Sequence, residues 1–261
     1  MKTIKIDLPA ELKTIELHPL SDIHFGDGLC DWRRIQATIE HIKNTPNAYC
    51  ILGGDLMDTA IASSVGDTYA ANLSPMEQLK QCVNLFEPIK DKIICVVHGN
   101  HENRIYKSDG IDTTALMCDQ LGIRDKYSPT TAVLFIRFGE RTEGHQHHRK
   151  MLYTVYVTHG SGNGGGRKEG GKINRLADLA QIVDTDLYIC GHTHLPATFR
   201  KGFFRVSASN SSINCVSKVF VNTAAALDYG GYGDIAGFAP AAKENPVIYL
   251  DGGKHSITVK T

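Results

Sequence analysis

Five places in this chain gather side chains of the kinds that hold metal ions: Asp22-Ile23-His24, Gly54-Asp55-Leu56-Met57-Asp58, Gly99-Asn100-His101-Glu102, His159-Gly160 and Gly191-His192-Thr193-His194. Their mix of nitrogen and oxygen donors argues against magnesium or calcium alone. Ions so held polarise phosphoryl or carbonyl oxygens and make water a nucleophile near neutral pH. A lone Asp or His after a strand is as readily a turn former or a helix cap. Five in succession are poorly explained that way. The single residue between the donors of Asp22-x-His24 and His192-x-His194 would put both on one side of an extended segment. Gly54, Gly99, Gly160 and Gly191 suit tight turns and close backbone approach beside such a site.

Each cluster directly follows a short apolar, β-branched run, at 15–20, 49–52, 93–97, 152–157 and 187–190. Such runs read as buried strands. Loops beyond the carboxyl ends of strands in an α/β sheet meet in one crevice, so the five clusters are expected to converge. Helical stripes lie between the strands. Trp32, Ile35, Ile39 and Ile42 share one face; Ser74, Pro75 and Glu77 form a capping box with proline in the first turn, opening a helix through Met76, Leu79, Val83 and Phe86. Ile173, Leu176, Leu179 and Val183 mark a third. Strands alternating with helices predict an α/β fold. After Pro196 the runs 198–206, 218–222, 247–250 and 257–260, separated by turn residues, predict a β-rich C-terminal third. A polar stretch at 139–150 reads as a hairpin tip between a strand at 133–138 and the fourth strand. No repeat or long linker divides residues 1–261, which are taken as one domain.

Charge narrows the function classes. Lys plus Arg balances Asp plus Glu at 28 each, so no bulk basic field gathers nucleic acid or a membrane surface. No apolar run approaches a membrane span and Met1 to Ala10 is charged, so the expected location is the cytoplasm. Seven scattered cysteines with no C-x-x-C spacing indicate neither a disulfide framework nor a zinc knuckle; Cys50, Cys95 and Cys190 sit in apolar runs as buried thiols.

The ordered blocks D-x-H, G-D-x-x-D, G-N-H-E, H and G-H-x-H resemble the calcineurin-like metallophosphoesterases. The resemblance runs from Asp22 to His194. It implies a four-layer, sandwich-like α/β fold with mixed central sheets, and a hydrolase that cleaves a phosphomonoester or phosphodiester with a hydroxide bridging two divalent metals. Carried over by motif, one ion is held by Asp22, His24, Asp55 and His194, the other by Asp55, Asn100, His159 and His192. Manganese is the first expectation, with iron, zinc or nickel as alternatives. The same resemblance gives His101 the task of protonating the leaving group or steadying the phosphoryl oxygens, and Asp58 that of orienting His101.

Where protein phosphatases of this kind follow G-D-x-x-D with Arg-Gly, this chain has Thr59-Ala60. A guanidinium or ammonium for the substrate phosphate is therefore sought at Arg104, Arg167 or Lys168. The substrate, a nucleotide, nucleic acid or phosphoprotein, is left open, and so is the oligomeric state. A DNA-repair-type nuclease or nucleotide phosphodiesterase is the alternative activity, and a non-catalytic metal-binding interaction protein the alternative from another class. Gly160 to Gly165 satisfies G-x-G-x-x-G, yet the helical pattern starts only near Lys172, too late to face a pyrophosphate. His145, His147 and His148 read as a solvated loop tip, and His18, His41, His98 and His255 as structural.

Overall fold

A computed structural model describes residues 1–61, 73–142, 149–162 and 165–261, apart from the Tyr232 side chain. Two six-stranded mixed sheets lie at its centre. One runs β1 (Lys2–Asp7), β6 (Ala132–Phe138), β7 (Met151–Thr158), β8 (Leu187–Cys190), β10 (Ser212–Asn222) and β9 (Ala197–Ser207). The other runs β12 (Ile257–Lys260), β11 (Val247–Asp251), β2 (Thr14–Leu20), β3 (Ala48–Leu52), β4 (Ile93–Val97) and β5 (Tyr127–Ser128). Within them β2, β3, β4 and β5 are parallel, as are β7, β8 and β10, while β6–β7, β9–β10 and β11 pair antiparallel.

Side-chain alternation along the strands builds four layers. Ile15 and Leu17 of β2 join Ile51, Cys95 and Val97 in a core between the sheets, against Leu134, Ile136, Tyr153, Val155 and Ile189. The opposite faces of β2 and β3, carrying Leu20, Cys50 and Leu52, are covered by α1 (Trp32–Asn44), α2 (Pro75–Phe86) and α4 (Thr113–Gln120). On the outer face of the other sheet, Leu176 of α5 (Glu169–Asp178) packs with Tyr188 and Phe220. Full burial of each such Leu, Ile or Phe contributes about 1.5–3 kcal/mol before entropy is counted. The predicted stripe of α1 is buried at Ile35, Ile39 and Ile42, and the Ser74–Glu77 capping box at the start of α2 is formed.

Four elements depart from the sequence expectation. The N-terminal β1 lies parallel to β6. The eight-residue helices α3 (Glu102–Asp109) and α4 follow β4; α4 buries Thr113 and Thr114 beside Ala115, Met117 and Cys118 while exposing Leu116 with Asp119 and Gln120, so polar and apolar residues fall on both faces and no apolar stripe marks it. Helix α5 begins at Glu169, three residues before the predicted start at Lys172, because Gly170 and Gly171 in its first turn mask the helical pattern. The hairpin tip and its three histidines fall at 143–148, outside the described residues. Among the described residues no helix is long and apolar enough to cross a membrane.

Candidate metal centre

The five donor clusters come from the carboxyl ends of β2, β3, β4, β7 and β8. These strands belong to two sheets, so the crevice lies across the end of the sandwich and not along one sheet. The loops are stitched together by backbone bonds: Asp22 N–H donates to Gly54 O at 3.0 Å, His24 N–H to Asp55 O at 3.0 Å and Gly191 N–H to His159 O at 3.2 Å. The donors do not lie on extended segments, contrary to expectation. Asp22, His24, Asp55, His192 and His194 all have left-handed backbone, with φ of 53°, 50°, 49°, 70° and 55°. Such angles cost non-glycine residues on the order of 1–3 kcal/mol each and persist where surroundings over-determine them.

Asp22, His24 and His194 bring three ligand atoms together, as do Asp55, His159 and His192. In the first group His194 Nε2 lies 3.2 Å from Asp22 Oδ1 and 3.2 Å from His24 Nε2. In the second, His159 Nε2 lies 3.2 Å from Asp55 Oδ2 and 2.9 Å from Asn100 Oδ1. Asp22 and Asp55 are both buried, and each raises the cost of the other's charge. Burial would raise the Asp55 carboxyl, but the His159 charge and hydrogen bond outweigh it and hold it well below the usual range. Burial likewise opposes the His159 cation, yet Asp55 prevails and lifts that ring to about 10. Burial, reinforced by the His101 charge, pushes His24 down to about 3, so its ring is neutral. Two buried carboxylates beside the neutral His24 ring, whose Nε2 faces His194 Nε2 at 3.2 Å, make a mixed nitrogen and oxygen donor set that suits a divalent cation. The residues therefore fit divalent ions.

His101 stands beside this pair, its ring 4.3 Å from that of His24. Its Nδ1 is 3.0 Å from Asp58 Oδ1, and Arg104 Nη2 donates to its Nε2 at 2.9 Å. Since arginine only donates, the ring here carries its proton on Nδ1. Burial disfavours the cation, but the Asp58 hydrogen bond and the Asp55 charge overcome burial and Arg104, and the His101 pKa is raised. Arg104 is thus placed directly against His101. Arg167 instead lies 5.2 Å over the Phe238 ring, and Lys168 is the exposed N-cap position of α5. Gly162 O, at the start of the glycine-rich loop, accepts from His192 Nε2 at 2.8 Å, and Lys172 Nζ donates to Thr193 O at 2.9 Å.

Several supports had no assigned task in the sequence. Glu102, fully buried, accepts the N–H groups of Asp55, Leu56 and Met57 at 3.1, 2.6 and 3.0 Å and so clamps the loop that presents Asp55. Its place directly after Gly-Asn-His, at the first turn of α3, was the available signal. Thr59, at φ 43°, donates through Oγ1 to His101 O at 2.6 Å, and its own N–H reaches Gln78 Oε1 at 2.9 Å. The end of β10 is a sixth contributor: Thr223 Oγ1 is 2.5 Å from Ser21 Oγ, and Asn222 Nδ2 donates to Thr193 Oγ1 and Leu195 O, both at 2.7 Å. Glycine is required at 99, where a Cβ would overlap the Asp55 nitrogen and carboxylate. His98, in contrast, bonds Thr114 Oγ1 and Tyr127 OH at 3.1 and 3.3 Å and ties β4 to α4 and β5.

No curated protein matches the chain. Among solved structures it is similar to Vacuolar Protein Sorting 29 from Cryptosporidium parvum, at 15% identity and a TM-score of 0.45, covering 95% of this chain and 97% of that one. It is also similar to a metallophosphoesterase from Sphaerobacter thermophilus, at 16% identity and a TM-score of 0.41 over 91% and 84% of the two chains. A third, nuclease MPE from Pseudomonas putida, shares 11% identity with a TM-score of 0.36 over 94% and 87%. Residues 20–196 of the 261 match the calcineurin-like phosphoesterase family model, and the chain belongs to that family.

Proposed function

We propose that the protein is a hydrolase of phosphate esters that works at a dinuclear metal centre. The observation that carries this reading is the meeting of the Asp22–His24–His194 and Asp55–His159–His192 groups beside His101. Asp22, His24, Asp55 and His194 would hold one ion, and Asp55, Asn100, His159 and His192 the other. When bound, such a pair supplies a nucleophilic water at neutral pH and neutralises charge developing on the phosphoryl oxygens.

The chain's own groups do the rest. His101 delivers a proton from Nε2 to the departing oxygen, and Asp58 at Nδ1 steadies the imidazolium that makes this possible. In the arrangement described, Arg104 occupies Nε2 as donor; protonation of that nitrogen releases the guanidinium toward a phosphoryl oxygen. His101 and Arg104 thereby exchange partners within one site.

A groove of about 1080 Å³ is lined by Asn100, His159 and His192 together with Tyr106, Lys107 and Arg175. It is larger than a phosphoryl group needs, and exposed Tyr106 offers a face on which a base can stack. This favours an ester with an extended organic group, of the nucleotide or nucleic-acid type, over a small monoester. The test is turnover of p-nitrophenyl phosphate, bis-p-nitrophenyl phosphate, cyclic nucleotides and single-stranded DNA with manganese. His101→Ala should abolish turnover while retaining metal; a wild-type protein that binds metal and cleaves none of these esters overturns the proposal.

A further inference from the structure

Away from the catalytic crevice, on the helix-facing side of β2, Glu16 and His18 stand two residues apart and therefore project to the same face. His41 of α1 reaches them across the helix–sheet boundary. His18 Nε2 lies 3.3 Å and His41 Nε2 3.0 Å from one and the same oxygen, Glu16 Oε2, and the three donor atoms all fall within 4.8 Å of one another. A tetrahedral first-row ion with bonds of about 2.0–2.2 Å places neighbouring donors roughly 3.3–3.6 Å apart. The cluster is thus near ligand spacing before any side chain moves.

We propose that Glu16, His18 and His41 form a mononuclear site for a transition-metal ion of the zinc class, separate from the Asp22–His194 crevice. Two imidazoles and one carboxylate are a donor set for zinc, nickel or copper, whereas magnesium and calcium take oxygen donors. Burial of His18 works against its cation and keeps the ring in the neutral form that ligates, and a charged His41 would oppose that cation further. One divalent ion satisfies all three donors. The half-exposed His41 leaves one side of the cluster open for entry of the ion and for water as a fourth ligand. The ion would staple α1 to β2, the strand that runs directly into Asp22 and His24, and so brace the crevice from behind.

Equilibrium dialysis of the full chain against zinc, followed by elemental analysis, tests this with His41→Ala beside the wild type. Alanine is a strong helix former at a half-exposed position of α1, so the variant keeps its fold, and matching circular dichroism spectra establish that. The expected result is one zinc fewer per chain in the variant; zinc held anywhere else, including the dinuclear centre, cancels in the difference. Glu16→Gln should reproduce the loss. Equal zinc content in the wild type and both variants overturns the proposal.

Discussion

Glu102 offers the sharpest test of how the centre is held. Its carboxylate is fully buried and accepts three backbone N–H groups from the loop bearing Asp55. Glu102→Ala strands all three donors in a site from which water is excluded. Each buried unsatisfied donor costs about 1–3 kcal/mol, and local relaxation recovers part of it, so a loss of about 3–5 kcal/mol is expected. Against a total stability of about 5–15 kcal/mol this is a large fraction. Glu102→Gln separates hydrogen bonding from charge. Its one carbonyl oxygen can keep Leu56 and Met57, while its amide nitrogen turns a donor against the Asp55 N–H. Burial and the neighbouring Asp55 already push the Glu102 carboxyl upward, so removing the charge gives some energy back. The net loss for glutamine should be about 1–2 kcal/mol. Urea denaturation followed by circular dichroism gives the stabilities, and manganese content reports whether Asp55 is still presented. An alanine variant within about 1 kcal/mol of wild type, with full metal content, would refute the clamp.

Three further outcomes are expected. Asp58→Asn keeps the volume beside His101 but removes the charge that raises its pKa, so kcat should fall by roughly 10²–10⁴ and the alkaline limb of the pH–rate profile should move to lower pH; an unmoved profile would separate Asp58 from the proton transfer. Gly99→Ala forces a Cβ into Asp55, and overpacking of about 1–3 kcal/mol or more should appear in thermal unfolding together with loss of bound metal. For Asp112, burial is outweighed by hydrogen bonds to His98 and Tyr127, which lower its pKa from 3.8 to about 2. A depressed carboxyl contributes stability above its unfolded pKa and loses it as pH falls through the folded one. Acid denaturation between roughly pH 4 and 2 should therefore be shallower in Asp112→Asn, with little change in the capping of α4, which asparagine also supports.

Much of the fold was legible locally. Runs such as 93–97 and the Ser74–Glu77 box specify a buried strand and a helix start through composition and cap chemistry alone, and both stand where expected. The elements that escaped were those whose pattern is set by surroundings. In α4 threonines are buried and Leu116 is exposed, so no apolar face shows in the sequence, and β1 is an edge strand whose Lys–Ile alternation becomes a strand only by pairing with β6, about 130 residues away in the chain. The wrong inference about Asp22-x-His24 has a similar origin: two-residue spacing implies a shared face only if the backbone is extended, and here it is left-handed.

By itself the sequence determined the chemistry of the donors, their order and their position at strand ends, because residue type and local periodicity need no distant partner. Tertiary structure alone decided which donors face one another, since two sheets must first pack before His194 can reach Asp22 or His159 can reach Asp55. It also turned Glu102 into a clamp and brought His41 to Glu16 and His18. The physical reason is common to all of these: each is a contact between segments remote in the chain, which no local pattern encodes, and near Asp55 such contacts also offset backbone strain and buried charge.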